Sequence, residues 1–192
     1  MTEYYIQYGL SWGGFTDGKV WQLLTYSVLH ASWLHLLVNL VLFVFLVLIA
    51  IPKWGFKNSV AILLLGVLSG GFFHIVTVGF AVSKGYEDQH LVGLSGGCYA
   101  LLLALLAMSP YSKVWKLPLS RGNLAAGICL TELVFLLMHP GFALPLFSSM
   151  SEVLIQCGAG DLLRISHSCH LGGGVVGLLL GRFFLVVEKL SS

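Results

Sequence analysis

Charge is what this 192-residue sequence has least of: ten Lys/Arg and eight Asp/Glu, 9% of the chain, against 57% apolar residues. A soluble domain carries roughly 25% charged residues, so a compact water-facing surface is excluded and the lipid bilayer is the expected solvent. The mean hydropathy of +0.91 excludes disorder, which needs a polar chain of high net charge. A net charge of +2, carried by scattered residues, offers no patch for nucleic acid. The four cysteines, Cys98, Cys129, Cys157 and Cys169, have neither the paired spacing of a zinc site nor the density of a disulfide framework. No HExxH occurs, and no metal or other cofactor is expected. Met1 to Gly18 contains Glu3 and Asp17 and lacks both the basic start and the apolar run of a signal peptide. No internal repeat suggests a transporter built from inverted halves.

Long apolar runs are what the sequence does have. About 20 mainly apolar residues cross a hydrocarbon core, and that ruler gives spans at 34–51, 60–83, 91–109, 123–147 and 168–187. The expected fold is an all-α polytopic membrane protein, a single domain over 1–192, with five spans and a Gly- and aromatic-rich outer-face segment over 1–33. Pro140 and Pro145 should end or bend the fourth span near His139, leaving an apolar loop or gate, and 141–166 should help admit a substrate. Lys53, Lys57, Lys113, Lys116, Arg121 and Lys189 fall on one side of this layout. Lys19, Lys84 and Arg164 share the other side with five carboxylates, so the first group is assigned to the cytoplasm.

Polar side chains at membrane depth are costly and therefore informative. Here they are His35, Asn39, His74, Ser95, Glu132, His139 and His170. His35 and Asn39, four apart, share a helical face, with His30 approaching from the loop before them. Ser95 lies in Gly93-Leu94-Ser95-Gly96, where glycines permit a tight turn and bare backbone at a helix start, leaving a hydroxyl beside free N–H groups. That suits a nucleophile whose product is an oxyanion. His170 opens the last span, and Gly173, Gly177 and Gly181 continue its face with the small residues that let two helices approach closely. If the partner helix begins at Ser95, a Ser–His pair forms. Gly172, about 100° round the helix, is expected to tolerate a side chain. Each feature alone has a plainer reading: a chance GxSG, a packing stripe, a histidine bonded to a carbonyl. Cys98 and Cys169 are read as packing residues and Asp161 as an ordinary loop residue.

Together these residues resemble the rhomboid intramembrane serine proteases, from Trp21 to the C-terminal end. Trp21-Gln22-Leu23-Leu24-Thr25 with His30, His35 and Asn39 resembles the family's first-loop and second-helix signature, W-R-x-x-T followed by two histidines and an asparagine. Gly93 to Gly96 resembles its GxSG motif, and His170, Gly173 and Gly177 its H-x-x-G-x-x-x-G. The resemblance implies Ser95 as nucleophile and His170 as base. It implies His35, Asn39 and the Ser95 N–H as oxyanion donors, and Tyr99 stacked on the catalytic imidazole, so that no acidic third member is needed. It further implies transmembrane protein substrates cut near the outer face, and residence in a bacterial inner membrane. The alternative is a rhomboid-like protein that binds client helices without cutting them; such proteins typically lack the serine or histidine, and both are present.

The sequence departs from the family in four places. Gln22 replaces an arginine, and Tyr26 stands where some bacterial members carry a histidine. Twenty residues precede Trp21, so the family's first helix is expected to be missing, with 4–11 as its outer end. Glu132 lies mid-span without a family-wide equivalent, and is expected to be protonated or to face a polar group of another helix.

Overall fold

The computed structural model describes residues 3–114 and 118–191; Lys116, assigned above to the cytoplasmic group, lies outside them. The elements are helices α1 (Glu3–Tyr8), α2 (Trp12–Thr16), α3 (Gln22–Thr25), α4 (Trp33–Val82), α5 (Ser95–Ala107), α6 (Arg121–Leu137), α7 (Pro145–Gln156) and α8 (His167–Ser191), with short 3-10 turns between some of them. Among the described residues, β pairing is confined to two isolated bridges, Leu10 with Leu91 and Lys113 with Ser120.

The Ser32 hydroxyl caps α4 by accepting the His35 N–H at 3.1 Å, satisfying one orphan donor of the first turn. Pro52 lies inside α4, and Gly55 has φ 78° and ψ 165°, a conformation that costs glycine little and a residue with a Cβ much more. A straight helix would hold Leu46 and Ile62 about 24 Å apart. Both instead join Ala50, Cys98, Leu101 and Ala104 in one core cluster, so the chain folds back at Gly55. Trp54 then stacks on Phe184 of α8 with centroids 5.8 Å apart.

Helix α5 is the centre of the bundle, with nine of its 13 residues buried, enclosed by α4 and α8. Close approach of α8 follows from its small residues: a Cβ on Gly173 would strike the Gly96 carbonyl, on Gly177 the Ala100 backbone, and on Gly181 the Ala104 backbone. Gly172 corrects the expectation made for it. A Cβ there would lie 2.7 Å from Phe73 Cβ and 2.8 Å from the Ser69 carbonyl oxygen, because the opposite side of α8 packs equally closely on α4.

Among the described residues, two helices, Trp33–Val82 and His167–Leu190, are long and apolar enough to cross a bilayer. The outer face of α4 presents Leu37, Leu40, Val41, Val44, Phe45 and Leu48, all exposed, which is a lipid-facing surface rather than the surface of a soluble protein. The expected span at 91–109 is helical only from Ser95, for 13 residues and about 20 Å, since Leu91 pairs with Leu10 and Gly93 has φ 118°. The expected span at 123–147 stops at Leu137. A turn through His139 and Pro140–Phe142 follows, and the remainder is a helix, α7, with no buried residue, where a loop was expected. Helix α6 is peripheral too: of its 17 residues only Ala125 and Glu132 are buried.

Candidate active site

The first loop is built by the polar residues of Trp21–Thr25. Trp21 Nε1 donates to the Gln7 carbonyl at 3.1 Å, Gln22 Nε2 to the Ile6 carbonyl at 3.1 Å, and the Thr25 hydroxyl to the Tyr8 carbonyl at 2.8 Å. Gln22 is fully buried and its oxygen accepts the Ser11 N–H at 3.4 Å, so a neutral amide does at this position what needs both donors and acceptors. Asp88 accepts the N–H groups of Trp12 and Gly13 at 2.9 and 2.8 Å. The Tyr26 carbonyl accepts the Gly93 N–H at 2.9 Å, and its hydroxyl donates to the Val67 carbonyl at 2.7 Å and touches Cys169 Sγ. The loop therefore fixes the turn that precedes Ser95.

Ser95 is the first residue of α5, where N–H groups lack intrahelical partners; Cys98 N–H bonds back to the Leu94 carbonyl at 3.2 Å. From α8, His170 Nε2 lies 2.8 Å from Ser95 Oγ. Its ring stacks on Tyr99 with centroids 4.1 Å apart and planes within 11°. A hydroxyl this close to an imidazole nitrogen can pass it a proton.

Across Gly93 lie the α4 residues. A Cβ on Gly93 would come within 2.8 Å of His35 Nε2 and 3.3 Å of Asn39 Nδ2, so both side chains converge on the backbone two residues before Ser95. Asn39 is buried, and its Nδ2 has no hydrogen-bond partner among the described residues. Ala31 N–H donates to His35 Nδ1 at 3.4 Å, which leaves the ring proton on Nε2, facing the same place as a donor. His30 meets the His35 ring edge-on at 5.0 Å, and partial burial lowers its pKa below the usual imidazole range. The arrangement is a set of unspent donors beside a hydroxyl, the layout that stabilises a developing oxyanion.

Glu132 faces three polar groups of other helices. Tyr99 Oη donates to its Oε1 at 2.6 Å, His170 Nδ1 lies 3.2 Å from Oε1, and His167 Nδ1 lies 2.6 Å from Oε2. Glu132, His167 and His170 are 7%, 8% and 9% exposed. Sequence reasoning overlooked His167, although its i, i+3 spacing to His170 places the two on one face. It likewise took Tyr99 as the sole support of the imidazole. The donor atoms of Glu132, His167 and His170 lie within 4.8 Å of one another, as a metal site would require, but each is already engaged in the hydrogen bonds just given.

The remaining polar residues have structural roles. His74 Nε2 donates to the Gln89 carbonyl at 3.2 Å and its Nδ1 accepts from Ser166 Oγ at 2.9 Å. His139 Nδ1 accepts the Gly141 N–H at 3.1 Å. Cys98 and Cys169 are fully buried, and Asp161 pairs with Arg164 on the surface at 3.5 Å.

A helical protein whose long apolar helices turn an exposed apolar face outward belongs to the broad class of integral membrane proteins. More specifically, the Rhomboid domain profile matches residues 17–187, and the chain belongs to that family. It is 24% identical over 170 residues to RHOMBOID-like protein 5 of Arabidopsis thaliana, covering 88% of this chain and 46% of the relative. It is 27% identical over 170 residues to Rhomboid-like protease 5 of Toxoplasma gondii, covering 85% of this chain and 16% of the relative. RHOMBOID-like protein 7 of Arabidopsis thaliana is 26% identical over 178 residues, 92% of this chain and 47% of the relative. The chain thus spans less than half the length of each of these relatives. They come from a plant and from Toxoplasma, and lend no support to the expected bacterial inner membrane.

Proposed function

We propose that this chain is an intramembrane serine endopeptidase that hydrolyses a peptide bond in or near the outer end of a transmembrane substrate helix. Ser95 Oγ attacks the scissile carbonyl carbon as His170 Nε2 takes its proton. His35 Nε2–H, Asn39 Nδ2–H and the Ser95 N–H hold the resulting oxyanion. His170 then protonates the leaving amine, and a water activated by the same imidazole hydrolyses the acyl-enzyme and frees Ser95. Substrates are transmembrane proteins, the reaction needs no cofactor, and residues 1–192 act as one domain with five membrane passes, the shorter helices completed by extended flanks. The observation that carries this reading is the 2.8 Å approach of His170 Nε2 to Ser95 Oγ beside the unpartnered amide of Asn39.

A fluorophosphonate, which phosphonylates activated serines, tests it. In detergent-solubilised protein the probe should label Ser95, fail to label Ser95→Ala, and label His170→Ala at least about 100-fold more slowly, since removing the base leaves a weak nucleophile. Labelling of Ser95→Ala at the wild-type rate would contradict the assignment. A wild type that resists the probe and leaves substrate helices intact would instead be a client-binding protein.

A further inference from the structure

Three hydrogen bonds around Glu132 constrain where the protons of the site reside. The Leu162 carbonyl lies 2.8 Å from His167 Nε2, and a carbonyl oxygen only accepts, so Nε2 carries a hydrogen. Whichever atom owns it, one further proton must lie between His167 Nδ1 and Glu132 Oε2, which are 2.6 Å apart. Oε2 is thereby occupied. Oε1 accepts from the Tyr99 hydroxyl at 2.6 Å and faces His170 Nδ1 at 3.2 Å. An acceptor opposite Nδ1 draws the ring proton there and leaves Nε2 unprotonated toward Ser95, the tautomer that a general base needs. Stacking on Tyr99 fixes the plane of the ring but does not choose between its two nitrogens.

We infer that Glu132, held by His167, is a positioning residue that sets the His170 tautomer and steadies the imidazolium formed when His170 takes the Ser95 proton. The inference rests on the protease reading. In the step itself the Ser95 hydroxyl proton moves to His170 Nε2, Oγ bonds to the substrate carbon, and the Nδ1 proton stays on His170, hydrogen-bonded to Oε1. When His170 releases its Nε2 proton to the leaving amine, the starting arrangement returns. Glu132 accepts no proton from His170 and touches no substrate. The arrangement has the chemistry of a serine–histidine–carboxylate relay, with the carboxylate supplied by the peripheral helix α6.

Histidine-selective 15N NMR of the wild type, with the His170 signals assigned by their loss in His170→Gln, measures the tautomer directly. It should find neutral His170 protonated on Nδ1; protonation on Nε2 overturns the inference without any variant at Glu132. Kinetics with a transmembrane substrate give the second arm. Glu132→Leu, which removes the acceptor, should lower kcat by about 100- to 10,000-fold with KM within about threefold, and shift His170 toward the Nε2–H form. Glu132→Gln keeps an oxygen for Tyr99 and His170 and offers an N–H to His167 Nδ1, so it should recover at least about tenfold of that loss. A Glu132→Leu enzyme with wild-type kcat, or a Glu132→Gln enzyme no faster than Glu132→Leu, overturns the positioning role. If Glu132→Leu is insensitive while fluorophosphonate still labels Ser95, this inference alone fails. If wild-type Ser95 neither reacts nor cleaves, the protease reading fails and takes the inference with it.

Discussion

Asn39 holds a buried amide nitrogen with nothing to bond to among the described residues, an arrangement that costs stability in a resting protein; in the proposed reaction the oxyanion is its partner. His35→Ala and Asn39→Ala should therefore each lower kcat by about 10- to 1,000-fold with little change in KM, as for donors used mainly in the transition state. Steady-state kinetics on a transmembrane peptide decides this: a rise in KM at constant kcat would make the face a docking surface instead. Ser95, His170, His35, Asn39 and Tyr99 could be singled out in the sequence because each sits in a short motif or at a fixed helical spacing, and the structure brings Ser95, His170 and Tyr99 into contact. Glu132 stood out as a polar residue in an apolar run, but which groups it meets did not. Tyr99, His167 and His170 lie 33, 35 and 38 positions away, on helices whose mutual rotation no local period specifies.

Helix α8 is wedged between α5 and α4, with Gly173, Gly177 and Gly181 against the first and Gly172 against the second. In lipid, contact of this kind replaces the hydrophobic effect as the attraction between helices. Gly173→Val or Gly177→Val should push α8 off α5, and a displacement of about 1 Å can cost about 100-fold in rate, so both should lose activity although neither touches substrate. Both should also melt at lower temperature in detergent. Gly172→Ala should lower the melting temperature as well, because its methyl meets Phe73 and the Ser69 carbonyl; an unchanged transition in all three variants would refute the wedge. The stripe facing α5 was readable from its period. The second contact was not, since a lone glycine carries no sign of which neighbour it meets. The reversal at Gly55 falls in the gap between the expected spans 34–51 and 60–83, and Pro140 and Pro145 announced the end of the fourth span near His139, whereas nothing in the apolar run showed that Pro145–Gln156 forms a helix rather than a loop.

For the whole molecule, the run from His35 to Trp54 covers about 29 Å of helix, so Ser95, beside His35 and Asn39, lies at the end opposite Lys53 and Lys57. If those lysines face the cytoplasm, the site opens to the other face. In a Cys157→Ser background, which removes the exposed native thiol, a membrane-impermeant maleimide applied to intact cells should label Glu87→Cys and spare Lys57→Cys; the reverse pattern would invert the orientation. Membrane residence was plain from the scarcity of charge, while the number of passes was not, because helices of 13 and 17 residues fall short of the roughly 20 that cross a hydrocarbon core. In the proposed reaction one serine and one histidine act together to cut a transmembrane helix. Initial rates of substrate cleavage in proteoliposomes test it most directly: Ser95→Ala and His170→Ala should each fall to background and their double variant no lower, as for residues that act as a unit, whereas cleavage by Ser95→Ala at the wild-type rate would contradict it.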